Sequence, residues 1–340
     1  MSVVLSEKMC YNLKRSVTHR IKKYTNRCAE RRNMSLEVKE ISKQYGAFTA
    51  LHPLSFTLSE PGVYALLGTN GAGKTTAIRI ILGMLSRNSG EVLWHGKALS
   101  PVTEKVGYLA EERGLYPKYK INEQLRYFAK LRGMSKDEIE KSMKYWFRRL
   151  ELNGYEDKRA EQLSKGNQQK VQMVAALISD PELLILDEPL SGLDPVNADL
   201  FKSVIHEQIE KKKFIIMSCH QMPVIEEFCN DITILHHGSA VLQGNLNEIK
   251  KSYGRVNLSV KCDGDILPLA AQCGLAPEEI TPDKFSFKIN NEAQAHQLLK
   301  KIVESDIPLI HYELREPTLH EIFVENIERA DKEAGRSDEI

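Results

Sequence analysis

Gly68-Thr69-Asn70-Gly71-Ala72-Gly73-Lys74-Thr75 decides how the rest of the chain is read. It is an unbroken G-x-x-x-x-G-K-[ST] run, and it sits where such a run has meaning. The apolar stretch Gly62 to Leu67 predicts a buried strand before it. Ala77, Ile80, Ile81 and Met84 predict a helix after it. Glycines let successive backbone N–H groups turn inward as an anion nest, and the helix start adds the positive end of its dipole. Lys74 can reach the outer phosphates of a nucleoside triphosphate as a point charge, and the Thr75 hydroxyl suits Mg²⁺. Thr76 continues the run into the helix, so residues 68–76 are the candidate phosphate-binding set.

A second motif belongs beside it. Leu183-Leu184-Ile185-Leu186 reads as a buried strand, and Asp187-Glu188 emerges at its end. Open α/β sheets bind ligands at the carboxyl ends of their strands. Asp187 is placed to hold Mg²⁺ through water, and Glu188 to polarise an attacking water as general base. An apolar strand ending in two carboxylates says little alone; next to a phosphate loop it says a good deal.

Outward from these motifs, strands alternate with helices. Leu36 to Ile41 alternates like a half-buried strand, and Phe214 to Met217 is a further buried one. One helical stretch carries Leu125, Phe128 and Leu131. A second opens with Ser135-x-x-Glu138, a capping box, and lines up Ile139, Met143, Trp146, Phe147 and Leu150 as core. The pattern is α/β with a mostly parallel sheet. From Val256 the order becomes strand, helix, strand, helix, strand, helix, which predicts a small α+β accessory domain.

The expected domains are a basic extension (residues 1–33), a main domain (34–252), the accessory domain (255–326) and a charged tail (327–340). The extension holds nine Lys/Arg and two Asp/Glu. It reads as a solvated arm, as sequence preceding a true start at Met34, or as a basic amphipathic helix on an anionic membrane.

Composition sets limits. The net charge of +1 gives no reason to expect a nucleic-acid partner. No apolar run approaches the roughly 20 residues of a membrane span. The six scattered cysteines form no C-x-x-C pair and read as reduced thiols.

Leu163-Ser164-Lys165-Gly166-Asn167-Gln168-Gln169-Lys170 resembles the ABC signature L-S-G-G-Q, at the family's separation from Lys74 and Asp187. Ser191-Gly192-Leu193-Asp194 looks like the D-loop, His220 like the switch histidine, and Tyr45 like the aromatic that stacks on adenine, with Phe48 a substitute. The resemblance covers residues 35–250. It implies a P-loop NTPase with a RecA-like core, an antiparallel β subdomain and a helical subdomain. It further implies ATP and Mg²⁺ as ligands, and pairing with a second copy or a paralogous ATPase subunit. In such a pair Ser164 and Gly166 contact the γ-phosphate held by the partner, while His220 helps orient Glu188 or the water. The chain would drive separate membrane subunits from the cytoplasmic face.

Two departures stand out. Lys165 replaces the first signature glycine and Asn167 the glutamine. The Q-loop glutamine aligns with Glu111 or its neighbour Glu112, where a carboxylate could still ligate Mg²⁺ or its water. The Glu111-to-Tyr116 stretch, the signature and Glu316-Pro317-Thr318-Leu319-His320-Glu321-Ile322-Phe323 resemble the sodium-efflux, NatA-like branch of exporters with ABC-2 type membrane subunits.

Other ABC ATPases act in translation, usually with two ATPase domains, or in DNA repair, with long insertions between phosphate loop and signature. One phosphate loop and no room for an insertion favour the transporter. His236-His237 reads as a turn before Gly238 rather than as a metal pair, and Cys219 as a buried thiol.

Overall fold

Leu36, Val38 and Ile41 are buried while Lys39 and Glu40 both face solvent, so the alternation read from the sequence holds to Val38 and is then broken by a register shift before Ile41. The computed structural model describes residues 35–100, 105–111, 114–281 and 284–335. The possible basic helix of residues 1–33 lies outside them, as does Glu112. The described chain divides into two units. One runs through His220 and takes in His237–Ala240; the other holds Gln221–His236 and everything from Val241.

In the first unit, β1 (Leu36–Tyr45), β2 (Phe48–Leu58), β4 (Ser89–Trp94) and β5 (Lys97–Ala98) form an antiparallel sheet in the order β2-β1-β4-β5. Beside it lies a parallel run, in the order β3 (Gly62–Gly68), β8 (Phe214–Ser218), β7 (Leu183–Asp187), β6 (Val106–Leu109). Every residue of β7 and β8 is buried. Parallel strands covered on both faces lose the apolar/polar alternation, which is why these two read as unbroken apolar runs.

Helix α1 (Lys74–Ile81) packs on β3 and β7. Helices α2 (Ile121–Leu131), α3 (Lys136–Arg149) and α4 (Lys165–Leu177) pack on one another. The expected capping box is formed: Ser135 N–H donates to Glu138 at 2.8 Å, and Glu138 N–H to the Ser135 hydroxyl. Ile139, Met143, Trp146 and Phe147 are buried, as their spacing predicts. The stripe on α2 is different from the one expected. Leu131, the last residue of the helix, is 63% exposed, and the buried face is Ile121, Gln124, Leu125 and Ala129.

Helix α4 also lies hard against β6. A Cβ placed on Gly107 would sit 2.4 Å from the Ala176 carbonyl oxygen and 2.8 Å from Pro181 Cγ, so only glycine allows this approach. Helix α5 (Pro195–Glu210) completes the unit, capped by Asp194, whose carboxylate accepts Asn197 N–H at 3.0 Å.

The second unit contains α6 (Met222–Phe228), β9 (Asp231–His236), most of β10 (Ser239–Asn245) and α7 (Leu246–Tyr253). An antiparallel sheet follows, in the order β12 (Pro277–Thr281), β13 (Lys284–Lys288), β11 (Asn257–Cys262), β14 (Leu309–Arg315). Leu258, Val260 and Phe287 from the sheet meet Ala270 of α8 (Leu267–Gln272) and Ala295, Leu298 and Ile302 of α9 (Glu292–Glu304) in one core. The predicted strand and helix order is present. Strand β12 was not predicted: all five of its residues are exposed, so no apolar pattern marks it.

Helix α10 (Leu319–Glu333) runs past the predicted end at Ile327, into what read as tail. Tertiary contacts extend it: Asn326 bonds Tyr253 Oη at 2.9 Å, and Asp331 lies 2.7 Å from His236 Nε2. Its start explains the Glu316-to-Phe323 stretch. Thr318 and Glu321 form a capping box, and Arg315 grips Glu321 through two bonds of 2.9 and 2.8 Å. Asn257 adds a third at 2.8 Å, and Leu319 and Ile322 are fully buried. Glu226 on α6 accepts Leu319 N–H at 2.7 Å. Among the described residues no helix is long and apolar enough to cross a membrane.

Candidate active site

Strand register brings the chemistry together. Asp187 pairs with Ser218 across β7 and β8, and Ser218 pairs on its other side with Leu66, two residues before the phosphate loop. Three strand ends therefore meet where an open sheet leaves a crevice. Gly73 ends the loop at φ 104°, and a Cβ there would lie 2.9 Å from the Ala50 carbonyl oxygen. Lys74 then opens α1. Its ammonium is buried and donates to Gly68 O at 2.7 Å and Thr69 O at 3.2 Å, which fixes it against the base of the loop. A cavity of about 280 Å³ is lined by residues 70–76, Glu111 and Glu188.

Asp187 is 1% exposed. Burial pushes its carboxyl pKa up, the Ser218 hydrogen bond opposes this, and the Glu188 charge adds to the rise. The Ser218 hydroxyl donates to Oδ1 at 2.5 Å, and the Thr75 hydroxyl acts on the same carboxylate. Oδ2 is buried without a hydrogen-bond partner. An orphaned anionic oxygen next to a hydroxyl is an incomplete set of hard oxygen donors, and it fits Mg²⁺. Tyr108 on β6 faces this group too; burial and the Asp187 charge push its phenol up to about 12.

Glu188 takes φ +49°, a left-handed conformation, directly before Pro189. Its carboxylate lies between an imidazole and an ammonium: Oε2 is 2.7 Å from His220 Nδ1, and Oε1 is 3.9 Å from Lys74 Nζ. An ionised carboxylate only accepts, so the imidazole donates from Nδ1 and leaves Nε2 for another contact. Glu188 N–H is held by the Ser218 hydroxyl at 2.9 Å and the Ser218 carbonyl at 3.2 Å.

Other predicted site residues stand apart from the cavity lining. Ser164 caps α4, accepting Asn167 N–H at 3.2 Å, and Lys165 beside it is exposed. Gly166 faces the first turn of α5, where a Cβ would meet Asn197 Nδ2 at 3.3 Å. Tyr45 is 51% exposed at the end of β1, with the Lys43 ammonium 5.0 Å from its ring centre; Phe48 is exposed as well. Sequence reasoning missed Ser218 and Tyr108. Ser218 ends the apolar run Phe214 to Met217, but strand register alone sets it level with Asp187.

The chain is similar to known proteins. A family model described as ABC transporter matches residues 51–191. One described as ATP-binding protein DrrA1-3-like, C-terminal domain, matches residues 244–327. The chain is 41% identical over 293 residues to the ABC transporter ATP-binding protein YhaQ of Bacillus subtilis (strain 168), across 86% of this chain and 98% of that protein. The chain belongs to the ABC transporter ATP-binding proteins.

A second relative of this ABC subunit is the linearmycin resistance ATP-binding protein LnrL of the same organism. It is 27% identical over 301 residues, covering 85% of this chain and 97% of that one. The solved structure of the ATP binding subunit of an ABC transporter superposes with a TM-score of 0.61 at 33% identity, covering 64% of this chain and 93% of its own. The ABC subunit is thus a P-loop ATPase that binds and hydrolyses ATP, of transporter rather than translation or repair type.

Proposed function

We propose that this ATPase works on the cytoplasmic face of the cell membrane and drives export through separate ABC-2 type membrane subunits, in the NatA-like branch. The cassette is taken as residues 34–252 and the accessory domain as 255–326. Two copies, or one copy and a paralogous subunit, close around ATP. In each site residues 68–76 cradle the phosphates and Tyr45 stacks on the adenine. Lys74 shares the charge of the outer phosphate oxygens. Glu188 takes a proton from water in line with the terminal phosphorus, and His220 holds its carboxylate at the angle this needs. Thr75, Asp187 and Glu111 would hold Mg²⁺, which when bound offsets the negative charge on the phosphates. Ser164 and Gly166, at the start of α4, meet the γ-phosphate held by the other protomer. Loss of that phosphate lets the pair open.

The observation that carries this reading is the position of Glu188, buried at the cavity between Lys74 and His220. Export is supported by the similarity to the linearmycin resistance protein LnrL and by the motifs that resemble the NatA-like branch. The seat for the membrane subunit is proposed at a cavity of about 440 Å³ lined by Tyr116, Tyr119, Glu123, Gln124 and Tyr127. Gln124 builds that seat: its side chain accepts Tyr116 N–H at 2.8 Å and donates to the Tyr116 and Tyr119 carbonyls at 3.0 and 2.9 Å. Co-purification of an ABC-2 type membrane protein with the tagged chain, lost when Tyr116 and Tyr127 are both changed to Ala, is the expected result. A membrane preparation that yields no such partner would overturn the assignment.

A further inference from the structure

The backbone at Glu188 is held in a conformation it would not choose. A non-glycine residue at positive φ is disfavoured by its own Cβ, and a following proline biases it further toward extended geometry. Glu188 nevertheless sits at φ +49° before Pro189. Such a turn persists only where its surroundings fix it. Ser218 fixes one side through the Glu188 N–H. Ser191 N–H closes the turn on the Glu188 carbonyl at 3.1 Å. The remaining tie comes from another element: Gln169 Nε2 donates to the Pro189 carbonyl at 2.9 Å.

Gln169 belongs to α4, the helix whose first turn holds Ser164 and Gly166. The same helix face meets the far end of the catalytic segment, where Gly166 packs on Asn197. Pro189 is buried, so a carbonyl deprived of the Gln169 amide has little access to water and the turn loses a fixed point. We propose that Gln169 is a positioning residue: its amide transmits the position of the signature helix to the Glu188 turn, so that a phosphate engaged at Ser164 and Gly166 aligns the base belonging to the same protomer. This rests on the reading of Glu188 as base. Gln169 is not among the residues that line the phosphate cavity, and its amide bonds the Pro189 carbonyl rather than Glu188's carboxylate, so it acts on the rate of the chemical step and leaves nucleotide binding alone.

The test uses the full chain and measures single-turnover phosphate release together with equilibrium binding of a non-hydrolysable ATP analogue. Gln169→Met keeps the length and removes the donor; Gln169→Lys keeps a donor of similar reach. The expected result is a fall of ~10-fold or more in the rate for Gln169→Met, with analogue affinity within ~2-fold of the parent and most of the rate recovered in Gln169→Lys. An unchanged rate in Gln169→Met would overturn the proposal. So would weakened binding that accounts for the whole loss, or a Lys variant as slow as the Met variant. Glu188→Gln, run in parallel, separates the two readings: a fully active Glu188→Gln removes the base assignment itself, whereas an inactive one beside a normal Gln169→Met removes only the link through Gln169.

Discussion

Ser218 bridges the backbone of one acidic residue and the side chain of the other. Its hydroxyl donates to Asp187 Oδ1 at 2.5 Å and accepts Glu188 N–H at 2.9 Å. One oxygen thus orients a buried carboxylate and pins the strained residue after it. Ser218→Ala is expected to lower the ATPase rate by ~10-fold or more, because both residues lose their common reference point. Steady-state kinetics at saturating Mg-ATP check this; a rate within ~2-fold of the parent would show that the strands alone hold the pair.

Glu188→Gln should block turnover while nucleotide still binds, since the amide keeps its shape but cannot accept the proton. Radiolabelled ATP retention and phosphate release, measured side by side, make the comparison. Rapid phosphate release by this variant would remove Glu188 from its role.

Lys74→Ala should weaken ATP binding by ~10-fold or more, because the loop loses its charge-assisted contact with the outer phosphates. Equilibrium titration with a fluorescent ATP analogue reads the change. Equal affinity in the two proteins would count against the phosphate-loop assignment.

Asp187→Asn should raise stability even as it abolishes activity. Burial disfavours the charged form, so the folded-state pKa lies above the unfolded one. Such a group costs stability at pH values above its folded pKa and costs nothing below its unfolded pKa. Relief of that cost should appear as a higher Tm for the variant at neutral pH. Calorimetry at pH 7 and near pH 4 should show the gain at the first and its loss at the second. A variant that melts lower than the parent at pH 7 would contradict this account of the buried charge.

Glu321→Gln should destabilise the second unit in a pH-dependent way. Arg315 and the Thr318 N–H hold the Glu321 carboxyl down to about 2. A lowered folded pKa contributes stability above the unfolded value, about 4.5, and loses it as pH falls toward about 2. The group is 40% exposed, so solvent screening reduces its worth to about 1 kcal/mol. Urea melts at pH 7 and pH 3 should show the gap between variant and parent narrowing at the lower pH. A constant gap would mean that shape, not charge, makes the cap.

What could be read in the sequence was local or periodic. The phosphate loop between strand and helix, the Asp187-Glu188 strand end and the Ser135–Glu138 cap depend on neighbours in sequence, and all are present as structural elements. Residues that act through strand register were silent. Ser218 matters because β8 aligns with β7, Tyr108 because β6 pairs with β7 on its other side, and Gln169 because α4 passes over Pro189. Strand β12 escaped because a solvent-exposed edge need not be apolar. The end of α10 was missed because contacts from Tyr253 and His236, distant in sequence, extend it.

Gly107 has a mechanical corollary. Backbone presses on backbone where Ala176, near the carboxyl end of α4, meets β6, and no compressible side chain lies between them. Contact of this kind acts as a fulcrum. A tilt of ~10° about it would sweep the opposite end of the 13-residue helix, and with it Ser164, through ~3 Å, at 1.5 Å of rise per residue. Small rotations at the sheet are thereby magnified at the tip of the arm.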